Sequence, residues 1–264
     1  MPPTLDDLIT LARQAGEILC TSFRQRLQVD HKGLIDLVSD ADHRSEQFLL
    51  DYIHGHFPDD RIMTEESGEL GGSADHIWYI DPLDGTINYI HGIPIFAVSL
   101  AYAEGGSLRL GVIYDPTREE CFSAQAGKGA WLNGQPIHPS AAQDLDHALL
   151  VTGFSYDIRT IPDNNLDHYT HFALRSQGVR RLGSAALDLS YVACGRFDGF
   201  WELQLKPWDL AAGALIAREA GGIVTDVAGD EFSLPPLSIL AANPFIHPLM
   251  LRELNREPAS PTPQ

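Results

Sequence analysis

Two aspartates follow an apolar run and stand where they could bind a cation. Asp81 and Asp84 lie three residues apart in the segment WYIDPLDG, directly after the apolar residues 77–80. The apolar run is typical of a short buried strand, and Pro82 has no N–H to continue the hydrogen-bond ladder. We therefore expect the strand to end just after Asp81, with its carboxylate at the strand end.

A turn and a helical segment follow the two aspartates. Gly85 and Thr86 occupy the turn, and residues 86–90 are predicted to begin a helix whose first N–H groups can bind an anion. Carboxylates beside such a site would repel phosphate unless cations lay between them, and Mg²⁺ binds carboxylate and phosphate oxygens together. By itself the segment is more typical of a solvated Asp-Pro turn.

Two further acidic positions favour the metal interpretation over the simple turn. Glu65 and Glu66 precede the strand, and Asp209 follows Trp208 where an apolar helical pattern begins. We expect Asp209 to be the N-cap of that helix, a position from which a carboxylate can also face a metal ion. The three segments together predict a site for hard divalent cations.

The ordered set of segments resembles the inositol monophosphatase family of Mg²⁺-dependent, lithium-sensitive phosphatases. The resemblance covers nearly the whole chain and is greatest to bacterial inositol-1-phosphatases in the stretch 180–209. It implies an α/β (α+β) fold, a layered αβαβα sandwich. The matching segments are HKGLIDLVSDADHRSE (31–46), MTEES (63–67), WYIDPLDGTINYIHG (78–92), GVIYDPTREECFSAQAGKGAWLNG (111–134), GSAALDLSYVACGRFDGFWE (183–202) and PWDLAAGALIAREAGG (207–222).

The resemblance implies two magnesium ions and their ligands. Glu65, Asp81 and the backbone carbonyl of Leu83 resemble the ligands of the first ion. Asp81, Asp84 and Asp209 resemble those of the second, so Asp81 is expected to bridge the two ions.

The same resemblance assigns supporting roles around the attacking water. Thr86 matches the threonine that orients this water together with Glu65, and Glu66 is their neighbour. Asp42 matches an aspartate that supports the water and cation network. Lys32 resembles the family's loop lysine, but its loop is one residue shorter than in the animal form. This difference weakens the expected role of Lys32 and of a weakly held third Mg²⁺.

Substrate contacts are expected on both sides of the scissile bond. Backbone N–H groups of Gly85 and Thr86 would hold phosphate oxygens. Glu202 matches the family glutamate that hydrogen-bonds inositol hydroxyls, although its local sequence is also that of an exposed acid at a strand end. A second sugar-facing stretch is matched by Gly183, Ser184 and Ala185.

The expected reaction is hydrolysis of inositol 1-phosphate to inositol and phosphate by a metal-activated water, without a phosphoenzyme. Relatives in the superfamily act on histidinol phosphate, fructose 1,6-bisphosphate or 3′-phosphoadenosine 5′-phosphate, so a histidinol-phosphate phosphatase or a fructose-1,6-bisphosphatase is the alternative. A non-catalytic, metal-binding regulatory protein is a hypothesis of another class. The presence of Glu65, Asp84 and Thr86 disfavours it.

The composition of the chain limits the kinds of molecule that it is expected to bind. The 264 residues are 44% hydrophobic, and 36 acids against 18 bases give a net charge of −18 that would repel nucleic acid. We therefore expect a small phosphate monoester as the partner. The three cysteines include no C-x-x-C pair, and neither a signal peptide nor a membrane span is visible, so a cytoplasmic location is expected. The resemblance also implies a homodimer.

The periodicity of apolar residues predicts the elements that carry these groups. Helices are expected from Thr4 to about residue 23 and at 42–57, the second with Asp42 in its first turn. Hairpin strands are expected at 96–102, 109–115 and 119–124, strands at 149–152 and 197–201, and helices at 166–176 and 186–193.

These elements suggest a division of the chain near residue 140. Residues 1–140 are expected to form an α+β half that carries the metal-binding loops. Residues 141–255 would form an α/β half that supplies Asp209 and the substrate contacts, and 256–264 a disordered, proline-rich tail.

Overall fold

The computed structural model describes residues 2–23, 29–31, 37–235 and 238–256. These residues form seven helices and fifteen strands, arranged in sheets of eight, five and two strands. The predicted α/β class is confirmed. Lys32 and most of the expected tail lie outside the described residues.

The first two helices begin at side-chain caps. Helix α1 covers Leu5–Ser22, and its cap is Thr4, as predicted. The Thr4 N–H donates to the Asp7 carboxylate at 2.8 Å, and the Asp7 N–H donates to the Thr4 hydroxyl at 3.2 Å. Helix α2 covers Asp40–His56 with Ser39 as its cap, so it begins two residues before the predicted start.

The eight-stranded sheet contains the predicted hairpins. Its order is β10-β9-β8-β7-β6-β5-β3-β4, and only β3 and β5 pair in parallel. A separate antiparallel pair is formed by β1 (Val29–His31) and β2 (Leu37–Ser39). The sheet strands are β3 (Asp60–Thr64), β4 (Gly68–Leu70), β5 (Ser73–Asp84), β6 (Ala97–Glu104), β7 (Ser107–Asp115), β8 (Glu120–Gln125), β9 (Gly129–Leu132) and β10 (Gln135–Pro136).

Strand β5 does not end after Asp81, as the sequence had led us to expect. Asp81 pairs with Ser99 and Asp84 with Ala97, so three steps along β5 match two steps along β6. This bulge places Pro82 where no ladder hydrogen bond is needed, and the strand continues to Asp84.

The five-stranded sheet lies later in the chain, in the order β12-β11-β13-β15-β14. Strand β11 is parallel to β12 and β13, whereas β15 is antiparallel to β13 and β14. These strands are β11 (Leu149–Thr152), β12 (Gly178–Arg180), β13 (Gly199–Leu203), β14 (Ile223–Thr225) and β15 (Ser238–Ala242). The remaining helices are α3 (Thr86–Ile90), α4 (Leu166–Ala173), α5 (Ala185–Ala193), α6 (Pro207–Glu219) and α7 (Ile246–Leu254).

Three apolar clusters define the layers. The first joins α1 and α2 to one face of the large sheet, the second encloses α5 and α6 between the two sheets, and the third joins α4 and α7 to the outer face of the smaller sheet. The expected αβαβα sandwich is therefore confirmed. Representative members of the three clusters are Leu11, Leu49 and Trp78; Tyr79, Leu189 and Phe200; and Phe172, Trp201 and Met250.

The middle cluster contains residues from both sides of position 140. The five-stranded sheet lies wholly after that position, but the division into two halves stays a prediction. No helix in the described ranges combines the length and the apolar character that a membrane crossing requires.

Helix α6 packs so closely that one glycine is required for space. A Cβ on Gly213 would lie 2.7 Å from the Cβ of Leu189 on α5, whereas a Cβ on Gly55 in α2 would meet nothing within 4 Å. We expect Gly213→Ala to lower the free energy of unfolding by about 1–3 kcal/mol through overpacking. Gly55→Ala should raise it, by at most about 1 kcal/mol, through helix propensity.

Urea unfolding of the two alanine variants checks this pair, because the substitution is the same and only the surroundings differ. If both variants were stabilised, the close contact between α5 and α6 would not exist in solution.

Candidate active site

Residues from distant parts of the chain meet around one cavity of about 590 Å³. Of the predicted site residues, Asp42 and Glu66 do not line it, and Lys32 lies outside the described residues. The predicted residues that do line the cavity are Glu65, Asp81, Leu83, Asp84, Gly85, Thr86, Gly183, Ser184, Ala185, Glu202 and Asp209.

Helix α2 contacts the bulge of β5 and holds it in place. The Ser45 hydroxyl donates to the carbonyl of Pro82 at 2.9 Å. The Leu83 N–H donates to the Asp81 carboxylate at 3.0 Å, and the Thr86 hydroxyl lies 3.0 Å from the Leu83 carbonyl. These contacts fix the turn that carries the first carboxylate and the threonine.

Asp42 lies behind Thr86 and not in the cavity wall. Its Oδ1 accepts from the Thr86 hydroxyl at 3.0 Å, and its Oδ2 accepts from the N–H of Ser39 at 2.9 Å and from the Ser39 hydroxyl at 2.5 Å. Burial raises the pKa of Asp42, although these hydrogen bonds oppose the shift. Any influence of Asp42 on the cavity therefore passes through Thr86.

Asp84 ties the large sheet to the start of α5. Its Oδ2 accepts from the Ser184 hydroxyl at 2.6 Å and from the Ala186 N–H at 2.8 Å. Nearby, the side-chain amide of Asn88 donates to the carbonyl of Leu182 at 2.8 Å. Both contacts join residues about a hundred positions apart, and so position the small residues of the 183–185 stretch against the two aspartates.

Asp209 does not cap its helix, contrary to the sequence prediction. Helix α6 begins at Pro207, which suits the first helical position because no N–H is needed there. Lys206 is the N-cap, and Asp209 is the third helical residue, whose carboxylate accepts from the Lys206 N–H at 2.8 Å. Burial raises the pKa of Asp209 to about 7.

The clustered carboxylates raise one another's pKa. Burial raises the pKa of Asp81 well above its ordinary value, and the nearby charges of Glu65, Asp84 and Asp209 add to the shift. Burial also raises the pKa of Asp84, against its hydrogen bonds to the start of α5. Bound cations would remove this repulsion.

The donor set fits a hard divalent cation, although the side chains that border the cavity do not form a compact ligand group. Carboxylate and backbone carbonyl oxygens are what Mg²⁺ prefers, and four acids and the Leu83 carbonyl border the cavity. Within the described ranges, no three His, Cys, Asp or Glu side chains form a ready-made metal cluster. Asp84 and Asp209 keep acceptor lone pairs beyond the hydrogen bonds that they make, so both carboxylates can still bind a cation from the cavity.

Glu46 is a buried acid that the sequence reasoning missed. Its carboxylate accepts from the Thr64 hydroxyl at 2.6 Å, from the N–H groups of Glu66 and Ser67 at 3.2 and 3.1 Å, and from the Ser67 hydroxyl at 2.7 Å. These four bonds hold the turn that presents Glu65. The signal was available, since Glu46 follows Asp42 by one helical turn and so shares its face of α2.

The alcohol side of the cavity is also acidic. Glu202 lies on β13 and is only 5% exposed, so the alternative interpretation as an exposed acid is wrong. Burial raises the pKa of Glu202 to about 8, with a further contribution from the charge of Asp209. Asp188, another residue that the sequence reasoning missed, lines the same cavity.

Comparison with known proteins agrees with this fold. A model of the inositol monophosphatase family matches residues 3–259. The chain is 41% identical to the Nus factor SuhB of Escherichia coli (strain K12) over 97% of both chains, and 40% identical to the chloroplastic phosphatase IMPL1 of Arabidopsis thaliana over 96% of this chain and 70% of that protein. Among solved structures, the inositol monophosphatase of Anabaena (Nostoc) superposes with a TM-score of 0.88, at 44% identity and 96% coverage of each chain.

The five-layered sandwich, with acids grouped beside the start of a short helix, agrees with this family match, which supports a phosphatase. The chain belongs to the inositol monophosphatase family. The resemblance recognised in the sequence is confirmed.

Glu46 provides a test of how the Glu65 turn is held. Glu46→Gln keeps the side-chain size but puts an NH₂ where the carboxylate now accepts hydrogen bonds. We expect kcat/KM for a simple phosphate monoester to fall about 10- to 100-fold, as for other residues that orient metal ligands. The Mg²⁺ concentration for half-maximal activity should rise.

Phosphate release across a Mg²⁺ titration measures both effects. Glu17→Gln, which changes an exposed acid of α1, serves as the control. An unchanged Mg²⁺ dependence in Glu46→Gln would show that this acid stabilises the fold only.

Proposed function

We propose that this phosphatase hydrolyses inositol 1-phosphate to inositol and phosphate in a Mg²⁺-dependent reaction. The observation that carries the proposal is the convergence of Glu65, Asp81, Asp84 and Asp209 on one cavity beside the start of α3. Their mutual repulsion destabilises the fold, so we infer that these acids are kept for a function.

The proposed ligands are divided between two ions. Glu65, Asp81 and the Leu83 carbonyl would hold one Mg²⁺, and Asp81, Asp84 and Asp209 would hold the second. When bound, the ions would supply positive charge that makes water more acidic and offsets the charge of the phosphoryl group. A weak third ion, with Lys32 near it, stays a prediction.

The chain's own groups would orient the attacking water and the phosphate. The Thr86 hydroxyl has a single proton and lies 3.0 Å from Asp42, so its lone pairs can accept a hydrogen bond from water while Glu65 accepts another. Gly85 has φ +97, and a Cβ there would come within 2.9 Å of the Ile95 carbonyl. Glycine thus permits the tight turn that presents the N–H groups of Gly85 and Thr86 to phosphate oxygens.

Direct transfer to water is favoured over an aspartyl phosphoenzyme. Asp84 is held by Ser184 and Ala186, and Asp81 by the Leu83 N–H. Carboxylates that are already hydrogen-bonded and shared between cations are poor nucleophiles.

The choice of alcohol would be made by Glu202 with Gly183, Ser184 and Ala185, which border the other side of the cavity. The inositol monophosphatase of Anabaena, at 44% identity, supports inositol as the alcohol. Arg159, Arg181 and Lys206 also line the cavity, and this observation keeps fructose 1,6-bisphosphate as the second candidate. Histidinol phosphate is a further alternative within the superfamily.

The biological setting is proposed from the cysteines and from the family resemblance. Cys20, Cys121 and Cys194 are all free, which supports a reducing, cytoplasmic location. The chain would act as a homodimer and be inhibited by lithium, as the family resemblance implies. The E. coli relative is named a Nus factor, so a regulatory role without turnover is the alternative outcome that the experiment must distinguish.

A substrate panel tests the proposed reaction. Phosphate release would be compared for inositol 1-phosphate, histidinol phosphate, fructose 1,6-bisphosphate and 3′-phosphoadenosine 5′-phosphate, with Mg²⁺ and with EDTA. We expect inositol 1-phosphate to give the highest kcat/KM and EDTA to abolish release. Asp84→Asn should lower kcat/KM at least about 100-fold because it removes a charged ligand.

Asp146→Asn is the matched control, since Asp146 is exposed and does not line the cavity. Release from a different ester would correct the alcohol, whereas no release from any ester would favour the regulatory protein.

A further inference from the structure

We propose that Asp188 contacts the substrate, forming with Glu202 a two-carboxyl floor that hydrogen-bonds the hydroxyl groups of a polyol phosphate, and that Gly153 makes room for Glu202. The proposal rests on the proposed function, because it concerns the alcohol side of the same cavity. It adds two residues to those that the family resemblance implied.

Asp188 is buried without the partners that a buried acid needs. It is 1% exposed and lines the cavity, yet its Oδ1 has no hydrogen-bond partner among the described residues. Four buried side-chain atoms in those residues lack a partner, and only this one belongs to a side chain that lines the cavity. Leaving a buried polar group unpaired is costly, and native proteins contain few such groups.

The position of Asp188 does not require an acid for folding. It lies in α5 between the buried Leu187 and Leu189, one turn after Ala185, which also borders the cavity. Arg181 attracts its charge, but the described residues include no ion pair between them. An apolar side chain would suit this environment better, so we infer that a ligand supplies the missing hydrogen bonds.

Glu202 is the second half of the floor, and Gly153 accommodates it. Strands β11 and β13 pair in parallel up to Thr152 and Trp201, so the next residues, Gly153 and Glu202, lie side by side. A Cβ on Gly153 would overlap both carboxylate oxygens of Glu202. Gly153 does not have a left-handed φ, so the need for glycine here is one of space.

The chemistry of the floor selects alcohols that carry several hydroxyl groups. A carboxyl group accepts several hydrogen bonds and donates one when it is protonated, and a cyclic polyol carries several hydroxyl groups that can do both. A monoester without such donors would leave the buried acids unpaired and would be bound less well. A second phosphate placed against the floor would keep both acids from ionising or be repelled by them, which disfavours bisphosphates that need a phosphate there.

The test compares two substrates that share the phosphate and differ in the alcohol. For Asp188→Ala we expect kcat/KM for inositol 1-phosphate to fall about 10- to 100-fold, mainly through a higher KM. The kcat/KM for phenyl phosphate should change less than about threefold. Asp188→Asn should lose less, because its amide oxygen still accepts. Gly153→Ala should be selective in the same sense, since it displaces the carboxyl group of Glu202 without removing it.

Asp157→Asn is the control for charge alone, because Asp157 is an exposed acid at the edge of the same cavity. Thermal unfolding gives a readout that does not depend on turnover. Inositol should raise the Tm of the wild type and of Asp157→Asn but not that of Asp188→Ala. Without ligand, Asp188→Ala should unfold no earlier than the wild type, which separates a substrate role from a structural one.

An equal loss on both substrates, or no loss on inositol 1-phosphate, would overturn the proposal. If the wild type cleaves another polyol phosphate instead, the proposed function fails, and the same variants are compared on that ester and its alcohol. If no polyol phosphate is cleaved and no polyol raises the Tm, both proposals fail.

Discussion

Mutual repulsion among buried carboxylates is the constraint around which this structure is organised. Asp81, Asp84, Asp209 and Glu65 border one cavity, and burial and neighbouring charges raise the pKa of Asp81. This cluster of acids lowers the free energy of unfolding, so packing elsewhere in the protein must offset the loss. Two sheets and the seven helices of the described residues provide that packing in three clusters, with α5 and α6 enclosed between the sheets.

The same contacts that hold the acids join the two sheets. Asp84 belongs to the large sheet but takes its hydrogen bonds from the start of α5, and Asn88 reaches the carbonyl of Leu182. Asp209 comes from α6, which packs against the large sheet and α5. The site is therefore a product of tertiary packing among β5, α5 and α6.

Local patterns predicted what depends on local physics. The cap at Thr4 follows from a short-range motif, and it was predicted correctly. The end of β5 was predicted wrongly, because the bulge at Pro82 depends on β6 and on a hydrogen bond from α2. The start of α6 was predicted wrongly, because the helix begins at Pro207 and Asp209 is its third residue. Glu46 was missed because its partners are distant in sequence.

The buried acids differ in whether all their oxygens accept hydrogen bonds from the chain, and this difference determines which roles each acid can have. Asp42 and Glu46 have their oxygens occupied by hydroxyl and N–H groups of the chain, so they can act only by positioning Thr86 and the Glu65 turn. Asp188 is equally buried, but its Oδ1 has no such donor in the described residues. The described residues provide hydrogen-bond donors to Asp42 and Glu46 but none to Oδ1 of Asp188. This oxygen can therefore accept a hydrogen bond from a ligand. Hydroxyl groups are the neutral donors that could complete it beside a phosphate.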